Sequence, residues 1–173
     1  GYYNENGNSL QKVFLKAPLQ YKYISSGFSY NRLNPVLRII TTHRAIDYAA
    51  PQGTPAVAVG DGVVTQAGWN GDYGIMVKVR HNEVYSTVYG HFMSLAKGIR
   101  SGVRVKQGQI IGYVGSTGQS TGPHLHYKML KFGLLVNPFR EKIPAGEPVK
   151  EADRSAFEEV KNIYQPQLIA IIL

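Results

Sequence analysis

The chain has 173 residues, 43% of them hydrophobic, with 19 Lys and Arg against 11 Asp and Glu, a formal net charge of +8. That length suits one globular domain with its own core and a short extension. No cysteine is present, which excludes a disulfide-stapled scaffold, a Cys-based zinc site, an iron–sulfur centre and a thiol nucleophile, so any metal must be held by His and carboxylates.

Residues 1–20 mix Asn, Gly and Tyr with an apolar patch at Val13–Leu15 and read as an N-terminal arm or the remnant of an upstream module. The chain opens at Gly1 without a signal-peptide pattern, so an export leader is expected to have been removed. Residues 21–140 form the expected main domain. Pro and Gly punctuate it densely, and short runs rich in Val, Ile and Tyr lie between them, the pattern of many short antiparallel strands. The expected strands are Val36–Thr41, Ala56–Val59, Gly62–Gly68, Gly74–Arg80, Val84–Phe92, Ile110–Val114 and His124–Leu130, with turns at Asn70-Gly71-Asp72 and Gly115–Gly122. Alternation puts Ile75, Val77 and Val79 on one face of their strand, and Tyr85, Thr87, Tyr89 and His91 on one face of the next. Residues 141–173 read as an acidic tail, in which Asp153 caps a helix that carries Phe157, Val160, Ile163 and Tyr164 on one face and stops before Pro166. The expected fold class is mainly β: a compact antiparallel β-sheet domain plus a C-terminal helix.

Charge divides at the same place. Residues 1–140 carry 15 Lys and Arg against 5 Asp and Glu, whereas 141–173 carry 4 against 6. The basic body would attract a polyanion such as nucleic acid, a lipid surface or an acidic envelope polymer. Nucleic acid is not expected, because the chain lacks a basic helix or an aromatic-plus-basic platform. No apolar run approaches the ~20 residues that span a bilayer as a helix.

The five histidines carry the chemistry. In His124-Leu125-His126, residues i and i+2 of a strand project from one face with Cα atoms about 6–7 Å apart, so the two imidazoles either sit idle on an edge or grip one small object. Gly118, Gly122 and Pro123 stiffen the approach to that strand. His43 and Asp47, four residues apart, either share one centre as metal ligands of the kind zinc accepts, or Asp47 merely accepts a turn hydrogen bond. A His-Glu-x-x-His helix is absent, which excludes that peptidase type. The remaining body acids, Asp61, Asp72 and Glu83, sit in turn-like sequence, so proton handling falls to histidine: His91 and one of His124 and His126. His81, beside Asn82 in a hairpin turn, reads as an exposed loop residue without a partner. Tyr48, Tyr89 and Tyr127, next to the histidine motifs, are the tyrosines that would border a site.

Taken in order, these motifs resemble the lysostaphin/LytM-type zinc metallopeptidases. The run is His43-x-x-x-Asp47, Ala50-Pro51-x-Gly53-Thr54-Pro55, Gly60-Asp61-Gly62-Val63-Val64, Tyr89-Gly90-His91, Val105-x-x-Gly108-Gln109-x-Ile111-Gly112, Gly115-Ser116-Thr117-Gly118 and Gly122-Pro123-His124-Leu125-His126. The lead-in, with Leu15-x-Ala17-Pro18 and Ile24-Ser25-Ser26-x-Phe28, looks like the Gram-negative envelope branch. The resemblance implies a β domain whose groove is floored by one Zn²⁺ per chain, held by His43, Asp47 and His126, with His91 and His124 as catalytic groups. It also implies a periplasmic peptidoglycan endopeptidase that cuts peptide stems or cross-links. Two alternatives share the fold: a D,D-carboxypeptidase trimming stems, and a non-catalytic wall-binding activator of an amidase.

Overall fold

The protein is described from a computed structural model covering residues 2–33 and 40–172. Its strands in chain order are β1 (Tyr23–Ser26), β2 (Ser29–Leu33), β3 (Ile40–His43), β4 (Ile46–Ala49), β5 (Pro55–Val57), β6 (Gly62–Trp69), β7 (Ile75–Arg80), β8 (Tyr85–Leu95), β9 (Arg104–Val105), β10 (Ile110–Val114), β11 (His124–Lys131) and β12 (Leu134–Val136). Among the described residues one α-helix, α1 (Arg154–Ile172), follows. The chain forms two units, Phe14–Glu141 and the terminal segments Gly1–Val13 with Lys142–Leu173.

Ten strands of the larger unit join in one sheet whose main path runs β1-β4-β11-β8-β7-β6-β9; β12 adds to β11, β10 joins β8 to β5, and β2 pairs with β3. All pairings are antiparallel, as expected of strands joined by short turns. The mainly β expectation holds. Of the expected strand Val36–Thr41, residues 36–39 lie outside the described residues, and β3 takes up the remainder.

A two-residue alternation decides which face does what. On β11, Leu125, Tyr127 and Met129 are buried while His124, His126 and Lys128 are half-buried. On β4, Ile46 and Tyr48 are buried and Asp47 is half-buried. The inward set packs with Tyr89, Val77, Val79, Val64 and Ile111 into the core, each large apolar side chain contributing about 1.5–3 kcal/mol on burial. The outward set lines one face of the sheet, opposite the core.

Tyr89 and Tyr127 are direct partners in the ladder, and so are Gly90 and His126. The sequence puts His91 on one face with Tyr85, Thr87 and Tyr89, and the structure makes that the core face, so strict alternation would send His91 inward. Instead His91 has φ +63°, a left-handed conformation rare for a side-chain-bearing residue, and the register between β7 and β8 shifts in the adjoining stretch, between Ile75 and Val77. The bulge turns the imidazole to the other face, where its ring lies 4.7 Å from that of His124 and 5.4 Å from that of His126. Tyr85, Thr87 and Tyr89 keep the buried face and His91 leaves it, which corrects the expectation.

His81 is likewise not an idle loop residue. Its Nδ1–H donates to the Asp61 carbonyl at 2.8 Å, its Nε2 lies 2.8 Å from Thr87 Oγ1, and Phe14 packs edge-on at 4.8 Å. Thr87 Oγ1 is 2.9 Å from Tyr89 Oη, and that oxygen accepts from the Val59 N–H. A carbonyl only accepts, so neutral His81 offers Nε2 as acceptor to Thr87, and the chain of bonds ties the β7–β8 turn to the core. Burial pushes the His81 pKa down, against the pull of the Asp61 and Gly60 carbonyls.

The terminal unit holds a bridge between Tyr3 and Ser9, another between Lys12 and Ala145, and an edge-on contact of Tyr3 with Phe157 at 6.1 Å. Helix α1 does not stop before Pro166 but runs through it. Proline costs one main-chain donor there, and the apolar run that follows has no glycine to end the helix.

Candidate functional site

Asp47 on β4 and His126 on β11 face each other directly in the ladder, which places Asp47 Oδ1 2.7 Å from His126 Nδ1. β3 ends at His43, a bend follows, and β4 begins at Ile46, so the four-residue spacing is spanned by a bent strand and not by a helix. The bend brings His43 Nε2 to 3.0 Å from Asp47 Oδ2. His124, two residues before His126 on the same face, reaches 3.9 Å from Asp47 Oδ1 through Nε2.

Two donor groups result. One ligand atom from each of His43, Asp47 and His126 lies within 4.8 Å of the others, and the same is true of His91, His124 and His126. Two imidazole nitrogens and one carboxylate oxygen are a donor set that zinc takes in sites with a fourth position open. Second contacts fix the ring orientations. His43 Nδ1 lies 2.9 Å from the Gly27 carbonyl, His91 Nδ1 2.7 Å from that of Thr117, and His124 Nδ1 2.8 Å from that of Gly122. Because a carbonyl needs a donor, each neutral ring carries its proton on Nδ1 and leaves Nε2 as a lone pair. His126 differs, since its Nδ1 faces the Asp47 carboxylate.

The electrostatics favour ligands ready for a cation. Burial alone would raise the Asp47 pKa, but hydrogen bonds and charge from His126 and His43 hold it well below the usual carboxylate range. Burial pushes His91 down to about 4, helped by its neighbours His124 and His126 and opposed by the Thr117 carbonyl. Burial also lowers His126, against the pull of Asp47. A carboxylate that stays ionised and imidazoles that stay neutral are the forms that bind metal.

The structure thus gathers His43, Asp47, His91, His124 and His126 and leaves His81 elsewhere. The tyrosines expected at the rim are not there. Tyr48, Tyr89 and Tyr127 are buried on the core face, the Tyr127 ring 6.2 Å from that of Tyr48 and 5.5 Å from that of Tyr89. The tyrosine at the site is Tyr73, 5.7 Å from the His126 ring, in the turn before β7. It fits there because Gly90 has no side chain: a Cβ at that position would come within 3.3 Å of the Tyr73 ring. Thr117 was also legible only as part of a glycine-rich turn. Its Oγ1 accepts from the Ile75 N–H at 3.0 Å and donates to the Phe92 carbonyl at 2.6 Å, while its own carbonyl holds His91.

Residues 41–138 match the model of peptidase family M23. The chain is 42% identical over 156 residues to peptidoglycan DD-endopeptidase ShyC of Vibrio cholerae, covering 90% of this chain and 36% of that protein. It is 44% identical over 160 residues to the DD-carboxypeptidase/endopeptidase Mpg of Neisseria meningitidis, covering 91% and 36%. Among solved structures, a zinc containing peptidase from Vibrio cholerae superposes with a TM-score of 0.72 at 35% identity, covering 82% of this chain and 44% of that one. The chain therefore spans about a third of the length of the curated relatives it matches.

Proposed function

The chain belongs to peptidase family M23, and from that premise we propose that it is a zinc-dependent hydrolase that cleaves D,D-peptide cross-links of bacterial peptidoglycan. The observation that carries this reading is the convergence of His43, Asp47 and His126 beside a second pair of oriented imidazoles, His91 and His124. His43, Asp47 and His126 would hold one Zn²⁺. When bound, zinc lowers the pKa of a water and polarises a carbonyl, which supplies nucleophile and Lewis acid together.

The chain's own residues supply positioning and proton transfer. Nε2 of His91 and Nε2 of His124 are the unprotonated atoms on the site face, because Nδ1 of each is committed to a carbonyl. One accepts the proton of the attacking water at Nε2, and the imidazolium so formed can return that proton to the leaving amine; the other can serve the developing oxyanion only in its protonated form. Asp47 stays ionised: one of its oxygens lies 2.7 Å from His126 Nδ1, and the other faces the lone pair of His43 Nε2 at 3.0 Å, two electron-rich atoms that suit a shared cation.

A second reading, D,D-carboxypeptidase action on stem peptides, is favoured by the likeness to a Neisseria protein whose name carries both activities. The non-catalytic activator needs only the groove, and the complete donor set weighs against it. Peptidoglycan is the proposed partner, and the cell envelope, the periplasm of a Gram-negative cell, is the proposed location. Among the described residues no helix is long and apolar enough to cross a membrane.

Digestion of purified cross-linked sacculi with and without chelator, followed by mass spectrometry of the fragments, tests the reading. Chelator-sensitive conversion of cross-linked dimers to monomers is expected. Loss of only terminal D-alanine selects the carboxypeptidase, and no change in fragment mass overturns hydrolysis.

A further inference from the structure

On the site face of β11, the residue after His124 and His126 in the same alternation is Lys128. It is half-buried, and its Nζ lies 2.6 Å from Tyr73 Oη and 4.7 Å from the centroid of that ring. Tyr73 in turn stands 5.7 Å from His126. None of the ion pairs among the described residues includes Lys128. Its charge is felt at His126. Lys78 belongs to the same face, since both Lys78 and Lys128 are ladder partners of Val88, from opposite sides. A half-buried ammonium with one neutral hydroxyl for company has donors to spare and no counter-charge, an arrangement that suits an incoming anion.

We propose that Lys128, held by Tyr73, is a carboxylate-binding group on the face that carries the histidines, so that the substrate must carry a free carboxylate next to the bond that is cut. This rests on the hydrolase reading above. In a D,D-bond the leaving amine bears such a carboxylate in two settings: on a terminal residue, or on the branch residue of a cross-link. Tyr73 orients Lys128 by hydrogen bond and ring face, and is a positioning residue. Lysine acts here as a point charge that tolerates both settings.

The experiment measures kcat and KM of the zinc-loaded protein on a stem peptide ending in D-alanyl-D-alanine, on the same peptide as its C-terminal amide, and on a cross-linked muropeptide dimer. Wild type, K128M, K128R, Y73F and the remote control K97M are compared. Wild type is expected to prefer acid over amide. K128M should raise KM for the acid roughly tenfold to hundredfold, as expected for a lost charge-assisted hydrogen bond, and leave the amide unchanged. K128R should recover part of the loss, Y73F should show a smaller rise in KM, and K97M none. A loss confined to the dimer assigns the carboxylate to the branch residue; a loss confined to the stem assigns it to the terminus. Equal loss on acid and amide overturns the subsite. If wild type cleaves nothing, the hydrolase reading fails separately, and binding decides the subsite. Metal-free protein titrated with N-acetyl-D-alanyl-D-alanine and its amide, followed by NMR, should favour the acid in wild type and not in K128M. The same affinities in both proteins would remove Lys128 from the role.

Discussion

Asp47 and His126, 79 residues apart in sequence, are direct cross-strand partners whose side chains meet at 2.7 Å. The pairing of β4 with β11 is therefore what builds the candidate metal centre, because it places an acid and an imidazole on the same outward face at the one spot where the bend after His43 brings in a second imidazole. On the opposite face of the same pairing, Tyr48 and Leu125 are register partners and both fully buried in the core.

His91→Ala and His124→Ala should each leave zinc content unchanged and lower turnover about 10²- to 10⁴-fold, the range for a lost general acid or base. Elemental analysis and release of cleaved stems from purified muropeptides check the two halves. Full turnover in either variant removes that histidine from proton transfer.

Thr117→Val should cost about 1–3 kcal/mol, because it strips the Ile75 N–H and the Phe92 carbonyl of their partner. It should also reduce turnover while sparing zinc, since the Thr117 carbonyl fixes the His91 ring. Urea denaturation and steady-state kinetics measure both effects. A variant as stable and active as the parent would contradict the role given to this turn.

Metal-free protein should weaken in two acid steps. His91 is neutral in the fold down to about pH 4, whereas an unfolded histidine takes its proton near 6.5. The unfolded state thus binds more protons in that window, and stability falls as pH drops from 6.5 toward 4, by up to about 3 kcal/mol from His91, with His81 and His126, also lowered by burial, acting in the same direction. Asp47 adds stability that is present above its unfolded value of 3.8 and lost as pH falls below it. Urea midpoints across pH, for wild type and His91→Gln, test this: the variant's curve should be flatter between 6.5 and 4.

Tyr48→Phe should stabilise the protein by about 1 kcal/mol and leave turnover intact. The hydroxyl is buried without a hydrogen-bond partner among the described residues, a cost the phenyl ring avoids. The side chain also lies on the core face, away from the histidines. A fall in the unfolding midpoint would show that the hydroxyl is satisfied in solution.

Much of this was legible in the residues. The alternation of β7, β8 and β11 is long enough to read, and His124-x-His126 declares its own face once β11 is recognised. Strands such as β4 and β9 were hidden because four residues or fewer carry no period, and an acid in the middle of β4 masks its two core positions. The face of His91 was hidden because a bulge inverts alternation locally, and no side chain announces a left-handed residue when that residue is not glycine. Tyr73 and Thr117 sit in turns, where position depends on what packs across the chain, here Gly90 and Gly74. Pro166 misled because a helix-breaking preference is local, and the run after it has no other stop.

The most direct test of the account is zinc bound per chain after dialysis, measured by elemental analysis for wild type, His43→Ala, Asp47→Ala and His126→Ala. One equivalent in the wild type and close to none in each variant is the predicted result. A full equivalent retained by folded Asp47→Ala or His126→Ala would contradict it.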